Sequence, residues 1–237
     1  MKRLYLAVCL LFITSISFAL NFGEIKTISR ALARDPIPTN GSPRIAETFV
    51  SSYTNIGMNE IVANTWCLET SSSITITKYK REYTLPNDII SIKRVLLDNN
   101  LIKSTSISKK DVNDPNWEDN LSTGTPTTYY SDMGANVLGF DTYPSTTTDK
   151  ILKITYIKQP IALTSDSAVP FDNQPRLIPY HYAICLFTAS MICYQDNRAT
   201  EGDRFYGMYV DRIKNMAASI GLSGDYYPSM SGNTNSR

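Results

Sequence analysis

The sequence predicts an α+β protein: a helical bundle formed from N- and C-terminal helices, with an antiparallel β-rich insertion between them. Apolar residues recur at helical spacing before about residue 70 and again from about 177, and in between the period drops to two. No helical pattern interrupts the strand candidates, which favours antiparallel pairing. The expected divisions are a signal-like apolar leader at 1–19, a helical body at 20–70 and 177–221, a β-rich insertion at 71–176 and a flexible tail at 222–237.

The leader opens on Lys2 and Arg3, runs apolar from Leu4 to Phe18, and ends on Ser17-Phe18-Ala19, a small-x-small cleavage pattern. It is short for a membrane span, which needs about 20 apolar residues. A cleaved signal and a retained apolar helix both fit it. Leu6-Ala7-Val8-Cys9 is a poor lipoprotein box, because Val8 is large and the apolar run continues beyond Cys9.

Behind the leader, Phe22, Ile25, Ile28 and Leu32 fall at near-helical spacing, with Pro36 closing the segment. A second helix is expected from Ser42 as N-cap and Pro43 in the first turn. Ile45, Phe49, Tyr53, Ile56 and Ala63 mark one face, the stripe expected to be buried, and Trp66 stands near the end. Gly57 lies mid-helix, where glycine costs about 1 kcal/mol relative to alanine.

From Ser71 the chain alternates. "SITITKYKREYTL", "IISIKRVLL", "LIKSTSIS", "PTTYYSDM", "NVLGFDTYP" and "KILKITYIKQP" predict a six-stranded layer. Tyr79–Asn100 reads as a hairpin-like pair around Pro86-Asn87-Asp88. Pro86, Pro144 and Pro160 sit at strand ends, where a missing N–H costs least.

Helix resumes at Pro179. Ile178, Tyr182, Cys185, Ala189 and Ile192 share a face, while Ile184, Leu186, Phe187 and Met191 fill the others. A helix apolar all round is a central one. Thr200-Glu201-Gly202-Asp203 resembles a capping box, and Phe205, Tyr209, Ile213, Met216 and Ile220 form the next stripe, with Gly221 as C-cap. The tail is too poor in apolar residues to pack alone, so a partner must order it.

A formal charge of +1 argues against gripping nucleic acid by charge, and fifteen tyrosines suit contact surfaces as well as strands. Without the leader, Cys67, Cys185 and Cys193 remain, an odd number that reads as buried thiols. Cys185 and Cys193 would stand about 12 Å apart along a helix, too far for a disulfide.

No compact catalytic motif is present. The single histidine, His181, is read as a helix-terminal residue making local hydrogen bonds and not as a base or metal ligand. Asp111, Asp114, Glu118 and Asp119 around Trp117 lack EF-hand spacing and are read as a solvated loop. Asp141 and Asp149 are read as turn residues. No catalytic, metal or cofactor residue is expected. A dispersed carboxylate site remains open, since such pairs assemble only in three dimensions.

The order of "NEIVANTW", "REYTLPNDIISIKRVLLDN", "GTPTTYY", "LGFDTYP", "LKITYIKQPIALTSDSAVPF", "LIPYHYAICLFTASMI" and "FYGMYVDRIKNM" resembles the head-to-tail connector, or adaptor, proteins of tailed bacteriophages, including the tail tubular protein A type. The resemblance implies a structural virion protein forming a ring, usually a dodecamer, between the portal protein and a tail or nozzle protein, with DNA passing non-specifically through its lumen. It implies no enzymatic activity and no cofactor. It also gives the tail a role: docking on the portal, with Tyr226, Tyr227, Pro228 and Met230 as anchors. The leader departs from this pattern, because phage adaptors assemble in the host cytoplasm. A secreted or periplasmic β-rich ligand-binding module is the alternative.

Overall fold

The computed structural model describes residues 19–35, 42–113, 115–119, 122–132, 134–145 and 150–220. The leader up to Phe18, Pro36, Asp114, Asp149, Gly221 and the tail anchors Tyr226, Tyr227, Pro228 and Met230 lie outside the described residues. Contacts divide the chain into a unit of residues 1–67 with 160–237 and a unit of residues 68–159.

In the first unit, α1 (Phe22–Leu32) starts where the Asn21 side chain accepts from the Glu24 N–H and the Glu24 carboxylate accepts from the Asn21 N–H. This reciprocal cap satisfies two backbone donors that the helix cannot. α2 (Glu47–Thr65) starts five residues after the expected N-cap at Ser42, and its cap, Ala46, makes no side-chain bond. The preceding turn is held otherwise: Asp35 accepts from the Arg44 N–H at 3.2 Å, and Arg30 donates to the Ile45 carbonyl at 2.9 Å. These bonds keep residues 44–46 out of the helix.

α3 (Ile107–Asn113) belongs to the second unit. The first unit continues with short 3₁₀ segments at Phe171–Asn173 and Pro175–Tyr180, then α4 (His181–Gln195) and α5 (Ala199–Ser219). α4 is the hub, packing against α1, α2 and α5. Nearly every residue from His181 to Cys193 is buried, the arrangement its all-round apolar sequence predicts. Pro175–Gln195 is long and apolar enough to cross a membrane, yet most of it is buried inside this unit. α5 buries Phe205, Tyr209 and Met216 of its expected stripe. Its start is not the expected capping box. Arg198 is the N-cap, and its guanidinium bonds Asp196, Glu201 and the Ala33 carbonyl, leaving Thr200 inside the first turn.

The second unit carries strands β1 (Glu69–Thr75), β2 (Glu82–Thr84), β3 (Ile89–Leu97), β4 (Asn100–Leu101), β5 (Lys103–Ser104), β6 (Thr123–Gly124), β7 (Thr128–Asp132), β8 (Val137–Phe140), β9 (Tyr143–Pro144) and β10 (Ile151–Lys158). They form two four-stranded sheets, ordered β1-β10-β3-β4 and β2-β8-β7-β5, and a β6-β9 pair. The expected single six-stranded layer is therefore divided. Val95, Leu97, Leu152 and Ile154 of one sheet join Tyr83, Tyr129, Leu138 and Phe140 of the other in one core.

Most pairings are antiparallel as expected, but β5–β7 and β6–β9 are parallel two-residue contacts. β2 and β3 are not a hairpin: β2 pairs with β8, and β3 with β10 and β4. A turn separates β1 from β2 where sequence alternation suggested one strand. There Tyr79 takes a left-handed φ of 59°, Lys80 donates to the Thr77 carbonyl, and the Tyr83 hydroxyl bonds Thr77 and Lys80.

Candidate functional site

α2 has two apolar faces, and the structure buries the one the sequence reading passed over. Val50, Thr54, Gly57, Met58, Ile61, Val62 and Thr65 are buried. Of the expected stripe, Ile45 is buried but lies before the helix, whereas Phe49, Ile56 and Ala63 are exposed and Tyr53 is half-buried. The correction has a packing cause. Gly57 lets α2 approach α4 so closely that a β-carbon would stand 2.6 Å from Phe187 Cδ1, and the Thr188 hydroxyl lies 3.4 Å from that of Thr54. This contact fixes the rotation of α2 and turns Phe49, Tyr53 and Ile56 outward.

The outward stripe is well formed. Phe49 and Ile56 are each 45% exposed, and the Phe49 and Tyr53 rings are 6.0 Å apart. With Thr48 and Ser52 they line an open hollow of about 320 Å³. Phe49, Tyr53, Ile56, Glu60 and Ala63 are separated alternately by four and three residues, the repeat of a helix-packing seam. That repeat was readable in sequence; what it faced was not.

The charged support of α2 is internal. The Arg30 and Asp35 side chains, each 2% exposed, pair at 2.6 Å, and Arg30 also reaches Glu47 at 2.9 Å. Lys26 bridges Glu47 and Asp166 at 2.5 and 2.9 Å. Burial opposes charge on Glu47, but the bonds from Lys26 and Arg30 win and hold its carboxyl below the usual range.

His181 is fully buried at the start of α4. Its Nδ1 lies 3.2 Å from the Leu20 N–H and 3.1 Å from the Leu20 carbonyl, and the ring packs on Phe171. Burial lowers its pKa. Cys67, Cys185 and Cys193 are buried and free, and burial pushes the Cys185 thiol up to about 12.

In the β-rich unit, the acidic stretch serves Trp117. The indole N–H donates to Asp111 at 2.7 Å, and Arg81 and Lys110 stand 4.7 and 4.6 Å from the ring centroid. Tyr130 meets Trp117 edge-on and donates its hydroxyl to Glu82 at 2.7 Å. Glu118 and Asp119 are exposed, and Asp141 accepts from the Thr127 and Thr128 amides as a turn residue. Among the described residues no group of three or more His, Cys, Asp or Glu side chains is placed to hold a metal ion.

The chain thus joins in sequence an α-helical unit with an outward apolar seam and a twin-sheet β unit. Residues 20–231 match the SU10 adaptor protein family, which makes this a head-to-tail adaptor protein of phages. The chain belongs to the SU10 adaptor protein family. No curated protein matches it.

Proposed function

We propose that the protein forms a ring in the virion neck, joins the portal to the tail or nozzle protein, and lets DNA pass through the lumen. The observation carrying this reading is the outward seam Phe49–Tyr53–Ile56 in a chain that belongs to an adaptor family. These residues repeat on the solvent side of α2 at the four-three spacing by which helices pack on one another, which suits a partner helix. In this reading the helices of both chain ends form the ring body, the β-rich segment contacts neighbouring virion proteins, and Tyr226, Tyr227, Pro228 and Met230 anchor the tail on the portal. Near-zero net charge suits a channel through which DNA slides, because tight phosphate contacts would hold it.

The test is electron microscopy of the purified chain mixed with its portal protein. A stacked ring is expected. Portal particles without an added ring would refute the reading, and unchanged portal affinity after deletion of residues 222–237 would remove the role of the tail.

A further inference from the structure

We propose that the outward stripe of α2 docks on the Arg204–Met208–Arg212 flank of α5 in a second copy of the chain, joining copies head to tail. The inference rests on the ring reading and assigns its subunit contact.

Both surfaces lie in the helical unit. The α2 stripe is apolar along Phe49, Tyr53 and Ile56, and Glu60 follows at the next seam position. Glu47 and Glu60 are the only charged residues of α2, and both are acidic. Glu47 is occupied by Lys26 and Arg30, while Glu60 has no cationic partner among the described residues. The helix therefore offers an apolar seam closed by the Glu60 carboxylate, which accepts from the Asn64 amide at 3.3 Å and pairs with no cation among the described residues.

α5 offers the converse. Met208 is 47% exposed, and Arg204 and Arg212 stand one helical turn to either side of it on the same face. Neither arginine has a carboxylate partner among the described residues. Arg204 lies over the Phe205 ring at 4.9 Å, and Arg212 lies over Tyr182 at 5.2 Å and donates to the Pro179 carbonyl at 3.4 Å. Methionine adapts its shape to aromatic neighbours, and guanidinium stacks on aromatic faces, so Phe49 and Tyr53 fit this flank as Glu60 fits its charge. Phe49 and Ile56 stay exposed although α1, α4 and α5 of the same copy all touch α2. The two surfaces differ, so the contact is heterologous and propagates from copy to copy, as a ring requires.

The test measures self-association of the full-length chain by sedimentation velocity and native mass spectrometry, with circular dichroism confirming that each variant folds. Wild type is expected to form oligomers as concentration rises. Phe49→Ser with Ile56→Ser is expected to weaken association by about tenfold or more, as loss of central interface anchors does. Glu60→Arg alone is expected to weaken it, and adding Arg204→Glu and Arg212→Glu is expected to restore it. A folded Phe49→Ser/Ile56→Ser variant that assembles like wild type overturns the pairing while leaving the ring reading intact. So does a stripe variant that keeps self-association but loses portal binding, which would assign the stripe to the portal. A failed charge-swap rescue overturns the α5 half of the pairing. Wild type that stays monomeric at every concentration overturns self-pairing of the free chain, and the portal-mixing experiment still judges the ring separately.

Discussion

Gly57 sits against Phe187 with no room for a side chain, since a β-carbon there would be 2.6 Å from Cδ1 of the ring. In an exposed helix, glycine-to-alanine stabilises by about 1 kcal/mol. Here the methyl must displace the ring or the helix. Gly57→Ala is expected to destabilise by about 1–3 kcal/mol, the usual cost of overpacking. Thermal or urea unfolding checks the sign, and Phe187→Leu in the same chain should recover part of the loss.

The buried pair of Arg30 and Asp35 predicts an asymmetric response. Removing one partner of a buried ion pair costs about 3–5 kcal/mol, because the other charge stays out of water. Glu47 remains beside Arg30 at 2.9 Å, so Asp35→Ala should fall near the lower end, about 3 kcal/mol. The equilibrium unfolding free energy in urea measures it. A loss under 1 kcal/mol would mean that Glu47 alone satisfies the arginine.

His181 makes stability fall with acid. Burial lowers its folded pKa below the ordinary 6.5, so the unfolded chain takes up the proton first. Above pH 6.5 the imidazole is neutral in both states and exacts nothing; as pH falls from 6.5 towards the lowered folded value, stability is lost. His181→Gln should flatten the unfolding free energy between pH 7 and 5 relative to wild type. Parallel pH profiles for the two proteins would show that other groups carry the dependence.

Trp117 tethers α3, which has no buried residue of its own. Trp117→Ala removes the acceptor role of Asp111 and the ring beneath Lys110 and Arg81. Limited proteolysis is expected to cut within Ile107–Asn113 several-fold faster while the sheet core stays protected. Equal cleavage rates would show that the tether holds nothing.

Sequence pattern identified individual elements where one force dominated. α4 is apolar on every side and is buried; β3 and β10 alternate and pair at the centre of their sheet. It failed where two signals competed. α2 carries two apolar faces of similar strength, and only the fit of Gly57 to Phe187 decides which turns inward. α3 lies just behind "LIKS", where a polar helix without a stripe leaves no period to detect. Arg81 meets Trp117 across 36 residues, a contact set by the fold that no local spacing encodes. The same holds for residues 160–176, expected with the strands: Asn55 grips Leu163 through both amide atoms, and Phe22 and Gly23 donate to Ala168 and Asp166, all within the helical unit.

The meeting of Leu20 with His181 would couple any cleavage after Ala19 to the packing of α4. In the intact chain a neutral peptide N–H faces the imidazole at 3.2 Å. A protease acting after Ala19 would replace that amide with a free ammonium group at the same spot, pressed against a ring walled in by Phe171. Trimming there would thus reach beyond the discarded segment and alter the seat of the central helix.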